Sequence, residues 1–282
     1  MPILVIDLNS PRPLIIGHRG ASAAAPENTL AAFARALENG ADGVELDVRL
    51  ARDGVPVVIH DATLRRTGLR EAIVAELTSA ELGKIDVGSW FNRANPQLHR
   101  PEYARQFVPT LDQVLRFFKA DARREPIIYV EMKPERTLQS YNELANSVIE
   151  SIYEFESRSR VVVVSFSLDA LAVIKQIDGG ICTGALFEPR RTASKLMSPG
   201  RMIASAIERG ADEILLHRLM ATRNLVSRAL ENGLRPVVWT VDDSKWILRA
   251  RTLGLHALIT NNPAEMAAVR ESRMIAESTT TR

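Results

Sequence analysis

Short apolar segments rich in β-branched residues alternate along the chain with longer segments in which apolar residues recur every three or four positions. The first pattern is typical of buried strands and the second of amphipathic helices, so their alternation predicts parallel strands joined by crossover helices. The pattern predicts eight strands, at residues 14–17, 43–47, 127–131, 161–165, 181–186, 213–216, 236–240 and 257–260.

A helix is predicted after each strand, at residues 27–39, 111–121, 138–155, 168–177, 200–209, 222–232, 243–253 and 263–273. Several of these helices end just before a glycine that precedes the next strand, and glycine at that position favours a left-handed helix cap. The glycines are Gly40, Gly210, Gly233 and Gly254. Eight strand–helix units favour an α/β fold of the (β/α)8 TIM barrel type, with a doubly wound open sheet as the alternative.

The segment after the second strand departs from the strand–helix alternation, because about 60 residues, roughly 48–109, separate that strand from the next barrel helix. We expect a small inserted subdomain there, within a single domain that spans residues 1–282 and ends in a flexible tail at about 275–282. The turn signal Arg52-Asp53-Gly54 predicts a hairpin that folds His60 back to a position roughly opposite Asp47. The Trp90-Phe91 segment is expected to cap the barrel mouth.

The overall charge is nearly balanced, with 36 basic and 34 acidic residues, and gives no nucleic-acid signature. The basic pairs Arg65-Arg66 and Arg123-Arg124 are interpreted as solvated surface. Cys182 is the single cysteine and is expected to be a buried, inert thiol. Without a signal peptide or a long apolar segment, we expect a cytoplasmic protein with no stable membrane anchor; a homo-oligomer is compatible with the sequence.

Polar residues cluster where the first three predicted strands end, which is where barrel enzymes place their active sites. In chain order they are His18, Arg19, Glu45, Asp47, Glu131 and Lys133. Residues two apart in a strand point to the same side, so Glu45 and Asp47 face one region together, as do Glu131 and Lys133. Three carboxylates and a lysine are therefore predicted to share one mouth.

A cluster of carboxylate oxygens is the ligand set that a hard divalent cation such as Mg²⁺ or Ca²⁺ prefers. Glu45, Asp47 and Glu131 are the candidate metal ligands. In the alternative interpretation these carboxylates hold no metal and form ion pairs with Arg19, Arg49 and Lys133.

Four further side chains fit an anionic, phosphate-containing substrate. Arg19 can bind two phosphate oxygens in a fork, and Lys133 adds a point charge. His18 and His60 are able to exchange protons near neutral pH, as cleavage of a diester requires. The other three histidines have no carboxylate cluster beside them in the sequence pattern. His217 is a weak candidate for the barrel mouth, His256 is interpreted as structural, and His99 is given no role.

At these residues the sequence resembles the glycerophosphodiester phosphodiesterase family. The matching segments, in order, are His18-Arg19-Gly20, Pro26-Glu27-Asn28-Thr29, Ala32-Phe33, Glu45-Leu46-Asp47-Val48, Asp53-Gly54, Val58-Ile59-His60-Asp61, Gly88-Ser89-Trp90-Phe91, Pro109-Thr110-Leu111, Glu131-Met132-Lys133, Ser165-Phe166 and Trp239-Thr240. They run through nearly the whole chain, so chance agreement is very improbable.

The resemblance implies a barrel with a small insertion, a divalent cation on the three carboxylates, acid–base catalysis by His18 and His60, and phosphate contacts from Arg19 and Lys133. It also implies that Trp239 lines the substrate pocket, whereas the residue pattern alone is equally compatible with a core indole. In such enzymes the free glycerol hydroxyl beside the phosphate is thought to attack first, which gives a cyclic phosphate that water then opens.

The sequence departs from the family pattern at two positions. Ala51 replaces a common threonine, and Asn261 stands where many relatives have aspartate. Because neither change touches a candidate metal ligand or acid–base residue, we interpret the second as tuning of the substrate or of local hydrogen bonding.

The function implied is hydrolysis of small-molecule glycerophosphodiesters to glycerol 3-phosphate and an alcohol, in lipid and glycerol metabolism. Two alternatives remain at this point. One is a lysophospholipase D-like enzyme that uses the same site on a longer lipid, and the other is a non-catalytic phosphate-binding barrel.

Overall fold

The protein is described by a computed structural model that covers residues 12–120, 125–133, 137–189 and 197–280. Eight parallel strands form a closed barrel, in which the first strand pairs with both the second and the last. The barrel strands are β1 (Leu14–His18), β2 (Gly43–Leu50), β4 (Ile127–Met132), β5 (Val161–Ser165), β6 (Cys182–Phe187), β7 (Glu213–His217), β8 (Arg235–Trp239) and β9 (Ala257–Thr260). The predicted TIM barrel is confirmed, and the doubly wound alternative is wrong because the sheet closes on itself.

Side chains alternate between the two faces of every barrel strand, as the period of two requires. In β4, for example, Ile128 and Val130 pack in the layer beneath the helices, whereas Tyr129 belongs to the apolar cluster inside the barrel. Glu131 follows Tyr129 at the same spacing and therefore also points inward. The same alternation that places apolar side chains in the core therefore directs the polar side chains at the strand ends into the mouth of the barrel.

Helices flank this barrel, and two short ones lie in the inserted segment after β2. In chain order the helices are α1 (Leu30–Glu38), α2 (Ser79–Leu82), α3 (Ser89–Ala94), α4 (Leu111–Ala120), α5 (Leu138–Glu154), α6 (Leu168–Ile177), α7 (Pro199–Glu208), α8 (Arg223–Glu231), α9 (Lys245–Leu253) and α10 (Pro263–Thr280). Threonine or serine side chains cap the N-termini of several by accepting a backbone N–H, as Thr29 does for α1 and Thr222 for α8. Helix α10 continues through most of the predicted tail. Within the described ranges, no helix has the length and apolar content needed to cross a bilayer.

The inserted segment after β2 is a small subdomain with its own apolar cluster. It begins with β3 (Pro56–Val58), which pairs antiparallel with β2 as the predicted hairpin requires, and it contains α2 and α3. The cluster consists of Ala51, Val57, Ile59, Leu64, Val74, Leu82, Ile85, Val87 and Val108. Farther along, Phe91 packs edge-on against Tyr103 in a second cluster with Ala25 and Ala32, which attaches the subdomain beside α1.

A second group of polar side chains lies at the N-terminal end of the barrel interior. The Tyr129 hydroxyl donates to Oε2 of Glu213 at 2.9 Å, and a guanidinium nitrogen of Arg235 lies 2.9 Å from Oε1 of the same carboxylate. Nε2 of His256 is 3.7 Å from that oxygen, in agreement with the structural interpretation of this histidine. The adjacent Cys182 is half-buried rather than buried, so the prediction of a buried thiol is wrong. Desolvation, together with Glu213, raises the pKa of this thiol, which supports its interpretation as inert.

Candidate active site

The three candidate metal ligands come together on two neighbouring strands. Asp47 in β2 lies in register with Glu131 in β4, and Glu45 lies one pleat earlier on β2. All three side chains are buried, with exposed fractions of 3%, 0% and 8% for Glu45, Asp47 and Glu131. Each offers one carboxylate oxygen within 4.8 Å of the others. This convergence agrees with the strand-end prediction.

The three carboxylates differ in their protonation behaviour. Burial raises the pKa of Glu45 well above its ordinary value, and the negative charges of Asp47 and Glu131 raise it further. Asp47 is also buried, but Lys133 and Arg19 hold its pKa well below the ordinary range. A buried cluster in which one carboxylate is poorly compensated attracts an additional cation.

Arg19 and Lys133 supply the positive charge around this cluster. Lys133 Nζ lies 3.1 Å from Asp47 Oδ1 and 2.5 Å from Glu131 Oε1. Arg19 Nε lies 3.2 Å from Asp47 Oδ2, and the backbone N–H of Arg19 donates to Glu45 Oε2 at 3.0 Å. The ion pairs of the alternative interpretation are thus present for Arg19 and Lys133. Arg49 donates from its Nε to the carbonyl of His60 at 2.8 Å.

The turn that carries Arg19 has unusual backbone geometry. Arg19 has φ 56° and Gly20 has φ 82°, both in the left-handed region. A Cβ on Gly20 would lie 2.5 Å from the backbone of Ala32 in α1, so only glycine fits between this turn and the helix. The tight turn brings the Arg19 backbone N–H to the carboxylate of Glu45.

The residue set fits a hard divalent cation. Glu45 Oε1 is buried and has no hydrogen-bond partner among the described residues, although a buried carboxylate oxygen normally has one. All three donors are carboxylates, the ligand type that Mg²⁺ and Ca²⁺ favour. A cation at this position would both satisfy Glu45 and balance the excess negative charge.

His18 enters the mouth from the end of β1. Its Nδ1 donates to the side-chain oxygen of Asn261 at 2.7 Å, and its Nε2 lies 3.9 Å from Glu45 Oε2. Burial and the nearby charge of Arg19 lower the pKa of His18 to about 4, so the ring is neutral at neutral pH. The bond at Nδ1 places the proton there and leaves the lone pair on Nε2.

His60 lies at the end of the hairpin that β3 forms with β2. The residue directly opposite Asp47 is Ile59, whose N–H donates to the Asp47 carbonyl, and His60 follows it. The Nδ1 of His60 donates to Asp61 Oδ1 at 2.6 Å. Burial lowers the pKa of His60, while the charge of Asp47 opposes this shift. The two candidate acid–base residues therefore share one arrangement, with Nδ1 bound and Nε2 available.

Asn28 belongs to the family-matching segment Pro26–Thr29, but sequence reasoning gave it no role. Its Nδ2 donates to Asp47 Oδ2 at 2.8 Å, and its Oδ1 accepts the Asp47 backbone N–H at 3.2 Å. The neighbouring Glu27 accepts a hydrogen bond from Arg19 at 2.8 Å. Asn28 therefore orients Asp47, a candidate metal ligand, and Glu27 orients Arg19, a candidate phosphate contact. Only tertiary contacts bring Asn28 and Glu27 to the site.

Asn261, the departure from the family pattern, contacts His18 directly. Its side-chain Nδ2 donates to Asp242 Oδ2 and its backbone N–H donates to Asp242 Oδ1, each at 2.8 Å. Asp242 thereby orients the amide so that its oxygen faces His18 and also accepts from Ser22 at 2.9 Å. This geometry agrees with the interpretation of the change as tuning of local hydrogen bonding.

The opposite side of the mouth is aromatic. Trp239 at the end of β8 packs edge-on against Phe166 with ring centroids 5.5 Å apart, and against His217 at 5.4 Å. Its indole N–H donates to the carbonyl of Leu215 at 3.3 Å. Trp239 is only partly buried, so part of the ring is available to a ligand in the mouth. His217 lies at this aromatic side and away from the carboxylates.

Arg65 and Arg66 are both exposed, as the interpretation of the pair as solvated surface requires, but their partners differ. Arg65 is 74% exposed and pairs with the equally exposed Glu71. Arg66 instead pairs with Glu27 and Asp61, the partners of Arg19 and His60. Sequence reasoning missed this because the two arginines are adjacent and have the same local pattern.

Comparisons with known proteins agree with this geometry. Residues 18–265 match the sequence model of the glycerophosphoryl diester phosphodiesterase family. A glycerophosphodiester phosphodiesterase of Caldanaerobacter subterraneus is 32% identical over 89% of this chain and 95% of its own length. One from Bacillus subtilis is 30% identical over 91% of this chain and 86% of its own length.

Solved structures show the same fold. A glycerophosphodiester phosphodiesterase from Agrobacterium tumefaciens superimposes with a TM-score of 0.73 at 26% identity, and the match covers 91% of this chain and 99% of that one. A phosphodiesterase from Oleispira antarctica, solved with the product sn-glycerol-3-phosphate, superimposes with a TM-score of 0.78 at 24% identity over 92% and 97% of the two chains. The chain therefore belongs to the glycerophosphoryl diester phosphodiesterase family and is a phosphoric diester hydrolase.

Proposed function

We propose that this enzyme carries out metal-dependent hydrolysis of glycerophosphodiesters to glycerol 3-phosphate and an alcohol. The observation that carries the proposal is the buried triad of Glu45, Asp47 and Glu131, in which Glu45 Oε1 has no hydrogen-bond partner within the described part of the chain. Two histidines of the candidate site, His18 and His60, each have Nδ1 hydrogen-bonded and Nε2 available. A site that only bound phosphate would not need two proton-transfer groups.

In this proposal the three carboxylates hold a divalent cation, Mg²⁺ or Ca²⁺. When bound, the cation neutralises charge on the phosphodiester and on the transition state. Arg19 and Lys133 contact the remaining phosphate oxygens, since both lie beside the triad and have donors left after their ion pairs.

His18 and His60 carry the protons. One, neutral with a free lone pair on Nε2, removes the proton of the attacking hydroxyl. The other starts the cycle with both ring nitrogens protonated and gives its Nε2 proton to the oxygen of the departing alcohol as that P–O bond breaks. The attacking hydroxyl belongs to the glycerol, which forms a cyclic phosphate. Water then opens the ring and gives glycerol 3-phosphate, so one water is consumed and one alcohol is released overall. The hydrogen bonds that the two Nδ1 atoms donate to Asn261 and Asp61 keep both rings oriented for these transfers.

Trp239 lines the part of the pocket that receives carbon rather than phosphate. Its partly buried ring, supported by Phe166, offers an apolar surface against the glycerol or the departing alcohol. The charged side of the mouth then holds the phosphate and the aromatic side the carbon skeleton. The Oleispira relative, whose structure contains sn-glycerol-3-phosphate, supports a glycerol phosphate product.

Glycerophosphodiesters are small and water-soluble, and we place the enzyme in lipid and glycerol metabolism in the cytoplasm, acting on them without a stable membrane anchor. The whole chain acts as one phosphodiesterase domain in this proposal, with the inserted subdomain supplying His60.

The test is release of glycerol 3-phosphate from glycerophosphocholine and from glycerophosphoethanolamine. The wild type is assayed after EDTA treatment and after addition of Mg²⁺ or Ca²⁺, beside His18→Ala and the control His99→Ala, since His99 is exposed. We expect release that requires the metal, is lost in His18→Ala and is kept in His99→Ala. Full activity in excess EDTA would contradict the metal assignment, and full activity of His18→Ala would contradict the acid–base assignment.

A further inference from the structure

Arg66 of the inserted subdomain occupies a position that the proposed chemistry has not used. Its Nη1 and Nη2 donate to the two carboxylate oxygens of Glu27 at 2.6 and 2.9 Å. Its Nε donates to Asp61 Oδ2 at 2.7 Å. One guanidinium therefore binds two carboxylates through three separate nitrogens, a geometry that its planar fork allows.

Each of these carboxylates has a second partner in the active site. Glu27 Oε1 also accepts from Nη1 of Arg19 at 2.8 Å, and Asp61 Oδ1 accepts from Nδ1 of His60 at 2.6 Å. Two chains of contacts thus begin at Arg66. One runs through Glu27 to the candidate phosphate ligand, and the other runs through Asp61 to the candidate proton-transfer group.

Buried neighbours anchor the backbone beside Arg66, whose own side chain is 41% exposed. Leu64 and Thr67, which flank the arginine pair, are buried with exposed fractions of 0% and 5%. The guanidinium also lies over the Trp90 ring, 5.9 Å from its centroid. The Glu27 side chain is only 11% exposed, so its charge needs a partner that water does not replace.

We propose that Arg66 is a positioning residue that sets the geometry of Arg19 and His60 together, through Glu27 and Asp61. This inference rests on the proposed function of the site. Without Arg66, Glu27 keeps Arg19 as its cation and is free to draw it away from Asp47, while Asp61 loses the contact that holds it toward His60. Displacements of this kind at supporting residues lower rates by about 10- to 100-fold in comparable sites.

The chain provides a matched control in the adjacent Arg65, which has the same side chain and an exposed ion pair with Glu71. We would measure kcat and KM with glycerophosphocholine and Mg²⁺ for the wild type, Arg66→Ala, Arg66→Lys and Arg65→Ala. We expect kcat/KM to fall about 30-fold in Arg66→Ala, with most of the loss in kcat, and to stay within about twofold of wild type in Arg65→Ala. Arg66→Lys should be intermediate, because one ammonium cannot reproduce three separate donors.

A second measurement, NMR of the His60 ring, reports the environment of His60 without catalytic turnover. The ring ¹H and ¹⁵N signals of His60, assigned by their loss in His60→Gln, should shift in Arg66→Ala and stay unchanged in Arg65→Ala. Equal kcat/KM for the two alanine variants, with a lower melting temperature in Arg66→Ala, would show a purely structural role and overturn the inference. Unchanged His60 signals in Arg66→Ala would also overturn it. A wild type that cleaves no diester with any metal would refute the proposed function, and the ring signals would still decide the role of Arg66.

Discussion

Two clusters of buried polar side chains lie at opposite ends of the same barrel, and they differ in charge balance. The floor cluster, at the N-terminal end, contains Glu213, Tyr129, Arg235 and His256. The mouth cluster, at the C-terminal end, contains Glu45, Asp47, Glu131, Arg19 and Lys133. Both place carboxylates inside a largely apolar barrel.

The floor cluster is balanced in charge, because the single carboxylate of Glu213 faces the guanidinium of Arg235 and accepts from the hydroxyl of Tyr129. Its Oε1, like Oε1 of Glu45, makes no hydrogen bond among the described residues, so the two clusters differ in net charge rather than in hydrogen bonding. Burial raises the pKa of Glu213 to about 7, and Arg235 opposes this shift. In the mouth cluster, three carboxylates share the charges of Arg19 and Lys133, and Glu45 is left with a strongly raised pKa. The comparison indicates that the floor cluster needs no further charge, whereas the excess of like charge in the mouth cluster would be relieved by a cation.

The largest effect is expected from Glu45→Gln in the mouth cluster. Activity should fall at least about 10³-fold, because the candidate cation loses a charged ligand. The metal-free protein should become more stable, by about 1 kcal/mol, since the change removes a buried like charge while the amide oxygen still accepts the Arg19 N–H. Assays with Mg²⁺ and melting curves in EDTA test both parts. A melting temperature well below that of the wild type would contradict the charge argument.

The opposite outcome is expected from Glu213→Gln in the floor cluster. Arg235 then loses its buried counter-charge, so the free energy of unfolding should fall by about 3 kcal/mol. Activity per folded molecule should stay within about twofold of wild type, because the cluster lies at the other end of the barrel. Urea denaturation and kcat measurements check this. A loss of kcat without a loss of stability would show that the floor cluster acts on the mouth.

Addition of metal should stabilise a protein whose mouth cluster is intact, whether or not its floor cluster is changed. Mg²⁺ or Ca²⁺ at about 100 times its dissociation constant should stabilise the wild type by about 2.7 kcal/mol. We expect the same increase for Glu213→Gln and a much smaller one for Glu45→Gln. Melting temperatures measured over a series of metal concentrations would reveal this. Equal stabilisation of all three proteins would place the cation outside the mouth cluster.

A smaller effect is expected from Asn261→Ala at the rim of the mouth. His18 loses the acceptor that holds its Nδ1 proton, so kcat should fall about tenfold while KM changes little. Asn261→Asp retains an acceptor at this position and should recover activity. Steady-state kinetics of the two variants provide the measurement. A rise in KM alone would instead assign Asn261 to substrate binding.

The smallest effect concerns pH and the floor cluster. Burial and Arg235 lower the pKa of His256 to about 4, from 6.5 in an exposed residue. Its contribution to stability is therefore complete above pH 6.5 and is lost as the pH falls toward 4, because the unfolded chain binds the proton more readily. Relative to His256→Gln, the wild type should lose about 1 kcal/mol between about pH 6.5 and 5.5. Parallel urea titrations would test the sign, and a relative gain would contradict it.

Much of the fold and part of the site follow from local pattern. The period of two in β2 and β4 predicts both the strands and the inward direction of Glu45, Asp47 and Glu131. The turn at Asp53-Gly54 predicts the hairpin that carries His60. Position within the pair Arg65-Arg66 does not predict which arginine reaches the site, because neither the local pattern nor the composition distinguishes them.

Local patterns are enough to predict the eight-stranded barrel, the inserted hairpin and the chemical groups at the strand ends, because strand and turn periodicities act over a few neighbouring residues. The hydrogen-bond partners of those groups follow only from the three-dimensional fold. Asn28 on Asp47, Asn261 on His18 and Arg66 on both Glu27 and Asp61 are contacts between residues brought together by barrel closure and by docking of the insertion. Their geometry depends on distances between separate elements, which no local pattern encodes.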